Sequence, residues 1–486
     1  MGPLDVLIVA LYLGGVVAAG AFFSRRQKTT RQYFLGGRNI PWWAISASIV
    51  ATETSTITFV SVPGIAYARG GDLTFLQLAL GYLAGRLVIS VLFIPSYFKG
   101  ELLTVYQLLT KRFGLAVKAL AASLFVVVRT VGDGIRLLLT ALVLGAVGSA
   151  LVPGVSAESV VPWAVVVLGV VMIAFTFWGG MEAVIWIEVV QLGIYVTGAV
   201  AAGAVLIGKI PGGWEAARAL GEEYGKFRLF HFEWDFTKPF TFWAGLIGGC
   251  FLTMSTHGTD QYLVQRYLCT DKPRKATAAL LTSGVVVLLQ FTGFLLIGLL
   301  LFAFYRPFEH GAPLAGDRVF PDFITRHLPS GLSGLVVAAI FAAAMSSSLN
   351  SIAATAVSDL YRPLAPDRSD RHYLAVSRWL TLAAGFAQIA VAVGIRHMTR
   401  SALDAALSVA SILNGPVLGV FLLGAFSKRA GTSAAFAGMA AGLVAVICVW
   451  RLSPVAWPWY TLAGSMTTVA VGSALGLAGS RHEAAA

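Results

Sequence analysis

The chain has 486 residues, 57% of them hydrophobic and 12% charged, with a net charge of +12. A soluble domain of this composition would expose a large apolar surface, so most of the chain is expected to be solvated by lipid. Backbone polar groups in hydrocarbon need internal partners, and the long Leu, Val, Ala, Gly and Phe runs lack the short alternation of a β-barrel, so the fold class expected is an all-α polytopic membrane protein.

Taken in chain order, stretches of roughly 20 apolar residues mark the spans. The first, 4–23, has no basic segment before it and reads as an anchor, not a cleaved signal. The second, 42–67, contains the polar run Thr52, Glu53, Thr54, Ser55, Thr56, followed by Thr58. A helix interrupted there would offer hydroxyls and freed carbonyls to a cation or a solute; the alternative is a hydroxyl-rich helix bonding to its own carbonyls, with Glu53 paired to an arginine. In the third, 75–98, Arg86 follows Gly81 and Gly85 and either snorkels or pairs. The fourth, 115–144, carries Arg129, Asp133 and Arg136 on one helix face. Charges at bilayer depth face inward, so Asp133 is expected to pair with Arg129, leaving Arg136 for Glu53 or for an anionic part of a solute.

Spans at 162–177 and 184–207 precede a long segment, 208–239, and spans at 240–262 and 279–304 follow it. The ninth span, 332–357, contains Ala342 to Ala344 and then Ser346, Ser347 and Ser348. Small residues let helices approach closely, and two hydroxyls with carbonyls from a broken helix would also suit sodium, a hard ion. Spans at 374–393, 405–426, 433–450 and 457–477 bring the expected total to about thirteen.

Lys and Arg concentrate in alternate loops: Arg25, Arg26, Lys28, Arg31 and Arg38; Lys99, Lys111 and Arg112; Arg266, Lys272, Arg274 and Lys275; Arg362, Arg368 and Arg371; Lys428 and Arg429. These loops read as cytoplasmic, which puts the N-terminus outside and the C-terminus inside a plasma (inner) membrane. The same bias accounts for the net charge, since the basic residues are spread over many loops instead of forming a nucleic-acid-binding face. Cys250, Cys269 and Cys448 are too dispersed for a metal cluster or disulfide framework and read as packing residues. The chain has neither a GxxxxGK[ST] phosphate loop for ATP-driven pumping nor an HExxH motif for an intramembrane enzyme.

Several motifs then occur together: Tyr33 to Arg38 (YFLGGR) leading to Pro41, Trp42 and Trp43; Gly179 to Trp186 (GGMEAVIW); Thr259, Asp260 and Gln261 with Val264, Gln265 and Arg266; Ala344 to Ser347 with Asn350; Asp359, Leu360 and Tyr361; and Phe421 to Arg429. In this order, and over nearly the whole chain, the sequence resembles the sodium/solute symporters, which include the sodium–glucose, proline and sialic acid carriers. The resemblance implies a leucine-transporter-like 5+5 inverted repeat with one extra N-terminal and two extra C-terminal helices. It divides the chain into residues 1–40 (extra helix and cytoplasmic loop), 41–207 (first repeat), 208–239 (extracytoplasmic loop), 240–427 (second repeat) and 428–486 (two C-terminal helices). It also implies alternating access around a midplane site.

By the same resemblance, the coupling sodium takes carbonyls from Ala51, Thr54 and Ala343 and hydroxyls from Ser346 and Ser347. The segment before Asn350 is about three residues, nearly one helical turn, shorter than in many relatives. Aligning from Asn350 and Asp359 instead places alanines in the serine slots, and both registers stand. Where some relatives hold a second sodium with an Asp, this chain has Glu188, for which ion pairing is the alternative. The positions corresponding to the solute site are Glu53, Thr58, Gln77, Thr253, Thr256, His257, Gln290, Ser408, Ser411 and Asn414, to which the charge pattern adds Arg136. The sugar carriers have Asn and His in the first two of these places and an aromatic near His257, so the sugar-stacking signature is missing. Fixed intramembrane charge favours a carboxylate-bearing or zwitterionic solute over a neutral sugar, because Arg recognises carboxylate bidentately.

The function expected is therefore sodium-coupled import of a small polar organic solute, with the lipid bilayer and the solute as partners and neither nucleic acid nor an obligate protein partner. A proton-coupled carrier titrating Glu53 or Glu188 is the nearest rival. A membrane solute sensor or a channel stands further off, since no signalling domain or pore-filter motif is evident.

Overall fold

The computed structural model describes residues 2–485 apart from 25–26, 55, 152–153, 155, 306–313, 345–347 and 399–411. Among these residues the fold is all helical. The elements in order are α1 Pro3–Ser24, α2 Thr30–Leu35, α3 Trp42–Glu53, α4 Thr56–Tyr67, α5 Leu76–Leu92, α6 Ile94–Tyr97, α7 Gln107–Leu151, α8 Ala157–Lys209, α9 Gly213–Glu223, α10 Gly249–Gly258, α11 Gln261–Leu268, α12 Pro273–Tyr305, α13 Gly316–His327, α14 Leu332–Ala344, α15 Leu349–Thr355, α16 Asp370–Gly394, α17 Asn414–Phe426, α18 Thr432–Leu452 and α19 Tyr460–Ala485. One π-helical stretch, Ala244–Gly248, leads into α10, and another, Ala356–Tyr361, extends α15.

Seven helices among the described residues are long and apolar enough to cross a membrane, and Leu76–Leu92, Leu332–Ala342 and Asn414–Phe426 are shorter apolar helices. This tally is lower than thirteen because several expected spans are not single continuous helices among the described residues. The span 42–67 divides into α3 and α4, and 332–357 is represented by α14 and α15, which flank residues 345–347. Conversely, α8 is 53 residues long, which at about 1.5 Å per residue is more than twice the roughly 30 Å hydrocarbon thickness. Its bend is at Gly180, where φ is +59°. A Cβ there would also stand 2.7 Å from the Tyr33 carbonyl, so backbone angle and close approach both call for glycine.

Helices α3 and α4 pack on α12, α5 on α10, and α7 and α16 on α8 and on each other. The last two helices, α18 and α19, pack together and against α17. Glycines set the closest of these approaches: a Cβ on Gly81 of α5 would stand 2.0 Å from the Gly245 carbonyl of the π-helical turn. Another face of α5 presents Leu87 and Val91, both strongly exposed, as an apolar surface suited to lipid. Cys269 is buried, whereas Cys448 is exposed on α18, so a packing role does not extend to it.

Candidate functional site

The local chemistry of α3 creates the site. After Glu53 the chain leaves helical geometry at Thr54 (φ −80°, ψ 82°), and α4 starts at Thr56. The Val50 carbonyl accepts both the Thr54 N–H (3.0 Å) and the Thr54 hydroxyl (2.7 Å), which ties the break to the helix before it. Gln290 of α12 holds the same hydroxyl at 2.7 Å. The carbonyls in the last turn of α3, Ala51 among them, lie where a helix has no intrahelical donors to offer. The described part of α14 runs to Ala344, and α15 begins at Leu349. Ala343 is in the last described turn of α14, while Ser346 and Ser347 lie outside the described residues, as do Ser408 and Ser411.

Two ion-pair systems surround the break in the second span. Glu53 accepts from Arg86 Nη2 at 2.6 Å and meets His257 Nε2 at 2.6 Å, while His257 Nδ1 is 2.7 Å from the Tyr267 hydroxyl. Arg86 is fully buried, and Glu53 keeps 18% of its side chain exposed toward a cavity. In the second system, Arg266 Nη2 is 2.6 Å from Glu188 Oε1, and Ser48 and Thr52 donate to the same carboxylate. Both members of this pair are almost completely buried.

The partners of Glu53 are thus Arg86 and His257, not Arg136. On α7, Asp133 lies 3.7 Å from Arg129 and 3.4 Å from Arg136, but the closest partner of Arg129 is Asp260. The sequence reading missed that partner because Asp260 lies 131 residues further along the chain and nothing in local spacing points to it. Tyr262 is covered by two guanidinium groups, Arg129 at 4.4 Å and Arg266 at 4.7 Å from its ring centre.

A cavity of about 460 Å³ is lined by Glu53, Thr58, Thr253, Thr256, His257, Arg129 and Arg136, with Phe75, Tyr82, Tyr262 and Phe291 as aromatic walls. A second cavity of about 320 Å³ shares Arg129, Arg136 and Thr256 with the first and adds Asp133, Asp260 and Asn414. Gln77 and Gln290 are not among these lining residues. Gln77 is buried, donating to the carbonyls of Thr74 and Phe240 and accepting from the His231 N–H.

Comparison with known proteins identifies this arrangement. The family model described as the sodium:solute symporter family matches residues 33–442. The chain belongs to that family. Among curated members of the sodium:solute symporter family, it is 31% identical to the sodium/sialic acid symporter NanT of Aliivibrio fischeri (strain ATCC 700601 / ES114), over 97% of this chain and 92% of the relative. It is 31% identical to the sodium/sialic acid symporter SiaT of Proteus mirabilis (strain HI4320), over 97% and 94%. A solved structure of a sodium-coupled sialic acid symporter, in a substrate-bound outward-open state, superposes with a TM-score of 0.88 at 30% identity, covering 98% of this chain and 97% of that one. Mhp1, a nucleobase-cation-symport-1 transporter in a closed conformation, shares the fold at a TM-score of 0.55 and 13% identity, over 90% of this chain and 92% of that one.

Sodium:solute symporters are transporters, not enzymes, and this chain is accordingly a sodium-coupled membrane symporter of a small solute. Sodium is its coupling ion. The oxygen-rich C-terminal end of α3 suits a hard cation in chemistry. For this symporter, the broken second span expected from the polar run around Glu53 is what the structure has.

Proposed function

We propose that the chain imports a carboxylate-bearing small polar solute, driven by sodium, through alternating access about the paired cavities. The observation that carries the solute class is Arg136: its side chain is 49% exposed, lines both cavities and approaches Asp133 at 3.4 Å. An arginine fork so placed fits an incoming carboxylate. Solute donors would meet Glu53, Thr58, Thr253, Thr256 and His257, with Asn414 toward the second cavity. The relatives named as sialic acid symporters support an acidic sugar as the first solute to test.

Sodium in this reading takes carbonyls of Ala51, Thr54 and Ala343 and hydroxyls of Ser346 and Ser347, bridging the ends of α3 and α14. At Glu188 a second ion would have to displace Arg266 from a buried pair, which favours a structural role for that carboxylate. Gln77 and Gln290, tied to neighbouring groups, fit support of the site better than contact with the solute.

The architecture we infer has thirteen spans: one extra helix, two five-helix repeats at 41–207 and 240–427, and two C-terminal helices. α8 supplies two of these spans, and the pairs α3–α4 and α14–α15 supply one each. The distribution of basic loops supports an N-terminus outside and a C-terminus inside a plasma membrane.

The test is uptake of radiolabelled sialic acids, amino acids, sugars and monocarboxylates into proteoliposomes. Uptake should need an inward sodium gradient, favour a carboxylate-bearing solute, and fall at least about tenfold in Arg136→Gln and in Ser346→Ala or Ser347→Ala. Transport confined to neutral sugars and indifferent to Arg136 would refute the solute class.

A further inference from the structure

Residues 230–236 read Phe, His, Phe, Glu, Trp, Asp, Phe, a strict alternation of aromatic and titratable side chains. The backbone of 228–235 is not helical, and along such a chain alternate side chains share a face. Phe230 and Phe232 do so, stacked with ring centres 5.5 Å apart. The aromatic row rests on Phe242, Trp243 and Trp459, at 5.0 Å from Phe232, 4.8 Å from Trp234 and 5.0 Å from Phe236. Even so, Phe230, Phe232, Trp234 and Phe236 each stay between 45% and 61% exposed. The titratable residues between them are tied to one another: Glu233 lies 3.2 Å from His231 and 2.7 Å from Lys238, which is 3.6 Å from Asp235. An exposed apolar row of this size marks an interaction surface.

The fastening of the segment indicates what covers the row. The carbonyl of Arg228 accepts from the Leu73 N–H, that of His231 from the Phe242 N–H, that of Phe232 from the Trp243 indole and that of Phe236 from the Ala456 N–H. A partner adding itself as a strand would find these acceptors taken, so the side chains are the surface on offer. Each fastening point is also the end of an inferred span: Leu73 precedes the third, Phe242 and Trp243 open the seventh, and Ala456 precedes the thirteenth. That is the depth at which aromatic side chains gather beside lipid headgroups. An exposed apolar surface reaches the same place along α18, whose Val444, Ile447 and Leu452 lead into the loop that carries Ala456. We propose that residues 230–236 form an interfacial strap along the boundary between lipid headgroups and acyl chains, with the four aromatic side chains in the lipid and His231, Glu233 and Asp235 toward water. The strap also holds the first turn of α5, since the Gln77 amide oxygen accepts from the His231 N–H at 2.9 Å. This rests on the span architecture proposed above.

The experiment places a nitroxide label on single cysteines of the full-length protein, in a Cys448→Ala background and in vesicles of phosphatidylethanolamine and phosphatidylglycerol. Collision rates with oxygen, which partitions into lipid, and with a water-soluble nickel chelate are then compared. The oxygen-to-nickel ratio should alternate along the segment, at least about threefold higher in Phe230→Cys, Phe232→Cys, Trp234→Cys and Phe236→Cys than in His231→Cys, Glu233→Cys and Asp235→Cys. A ratio without alternation, or aromatic positions as open to nickel as the charged ones, overturns the proposal. Aromatic positions shielded from both reagents overturn it too, because the row is then covered by protein, a second copy of the chain included. Phe232 is the most exposed of the four, so its variant decides if others do not fold. A label in Val444→Cys separates the two readings: Val444 out of lipid refutes the span architecture and the strap with it, whereas Val444 in lipid with the aromatic row in water refutes the strap alone.

Discussion

Glu53 and Arg86 carry opposite charges in a setting where neither can stand alone. Arg86 is completely buried, and its Nε and Nη1 have no hydrogen-bond partner among the described residues, so Glu53 and the nearby His257 account for its polar contacts there. Removing one member of such a pair leaves a buried charge uncompensated, at a cost of about 3–5 kcal/mol. Arg86→Leu should therefore lower the unfolding temperature in detergent markedly, and the double variant Glu53→Leu, Arg86→Leu should recover part of the loss. A double variant no more stable than the sum of the two singles would mean that the pair does not act as a unit. At this scale the sequence showed which groups were charged and that they face inward, but not who pairs with whom. Arg129, Asp133 and Arg136 shared a face as their spacing required, whereas Glu53 with Arg86, Glu188 with Arg266 and Arg129 with Asp260 are contacts between distant segments. Periodicity carries no information about those.

Among the elements, the break in the second span was more legible than any partner, because a polar run inside an apolar span is a local signal and Thr52 to Thr56 supplied it. The docking of α1 was not legible: Asp5 accepts from the N–H groups of Gly331 and Gly334 at 2.7 Å each and from the hydroxyls of Ser330 and Ser333, capping the start of α14. Asp5→Ala should cost about 1–2 kcal/mol, read as a lower unfolding temperature, while Asp5→Asn keeps an acceptor and should cost less. The segment 208–239 has its own fastening. Lys226 donates to the carbonyls of Ala66, Ala68 and Gly71 at the end of α4, at 2.7, 3.0 and 3.2 Å, with its ammonium 4.0 Å from the centre of the Phe302 ring. Burial pushes its pKa from 10.5 down to about 8. The released lysine holds its proton more tightly than the seated one, so between about pH 8 and 10.5 the seated state gains stability as pH rises. The unfolding temperature of wild type relative to Lys226→Met should increase over that interval; a constant difference would show that Lys226 does not titrate in place.

For the whole molecule, the two cavities meet at Arg129, Arg136 and Thr256, and that arrangement has a directional consequence. The larger cavity includes Ser61 of α4 and Trp457, whose neighbour Ala456 donates to the Phe236 carbonyl of the 208–239 segment, while the smaller includes Leu124 of α7 and Tyr106; in the orientation proposed above the first of these sides faces out. If transport proceeds by exposing one cavity at a time, a cysteine at Ser61 should react with a membrane-impermeant thiol reagent added outside, and one at Leu124 with reagent added inside. Cys448 is already exposed, so the experiment needs a background lacking it. Sodium with a transported solute should change the two rates in opposite directions, by about fivefold or more for a coupling of ordinary size. Rates that rise or fall together would describe a pore or a loosening of the bundle, because only a carrier ties the opening of one side to the closing of the other.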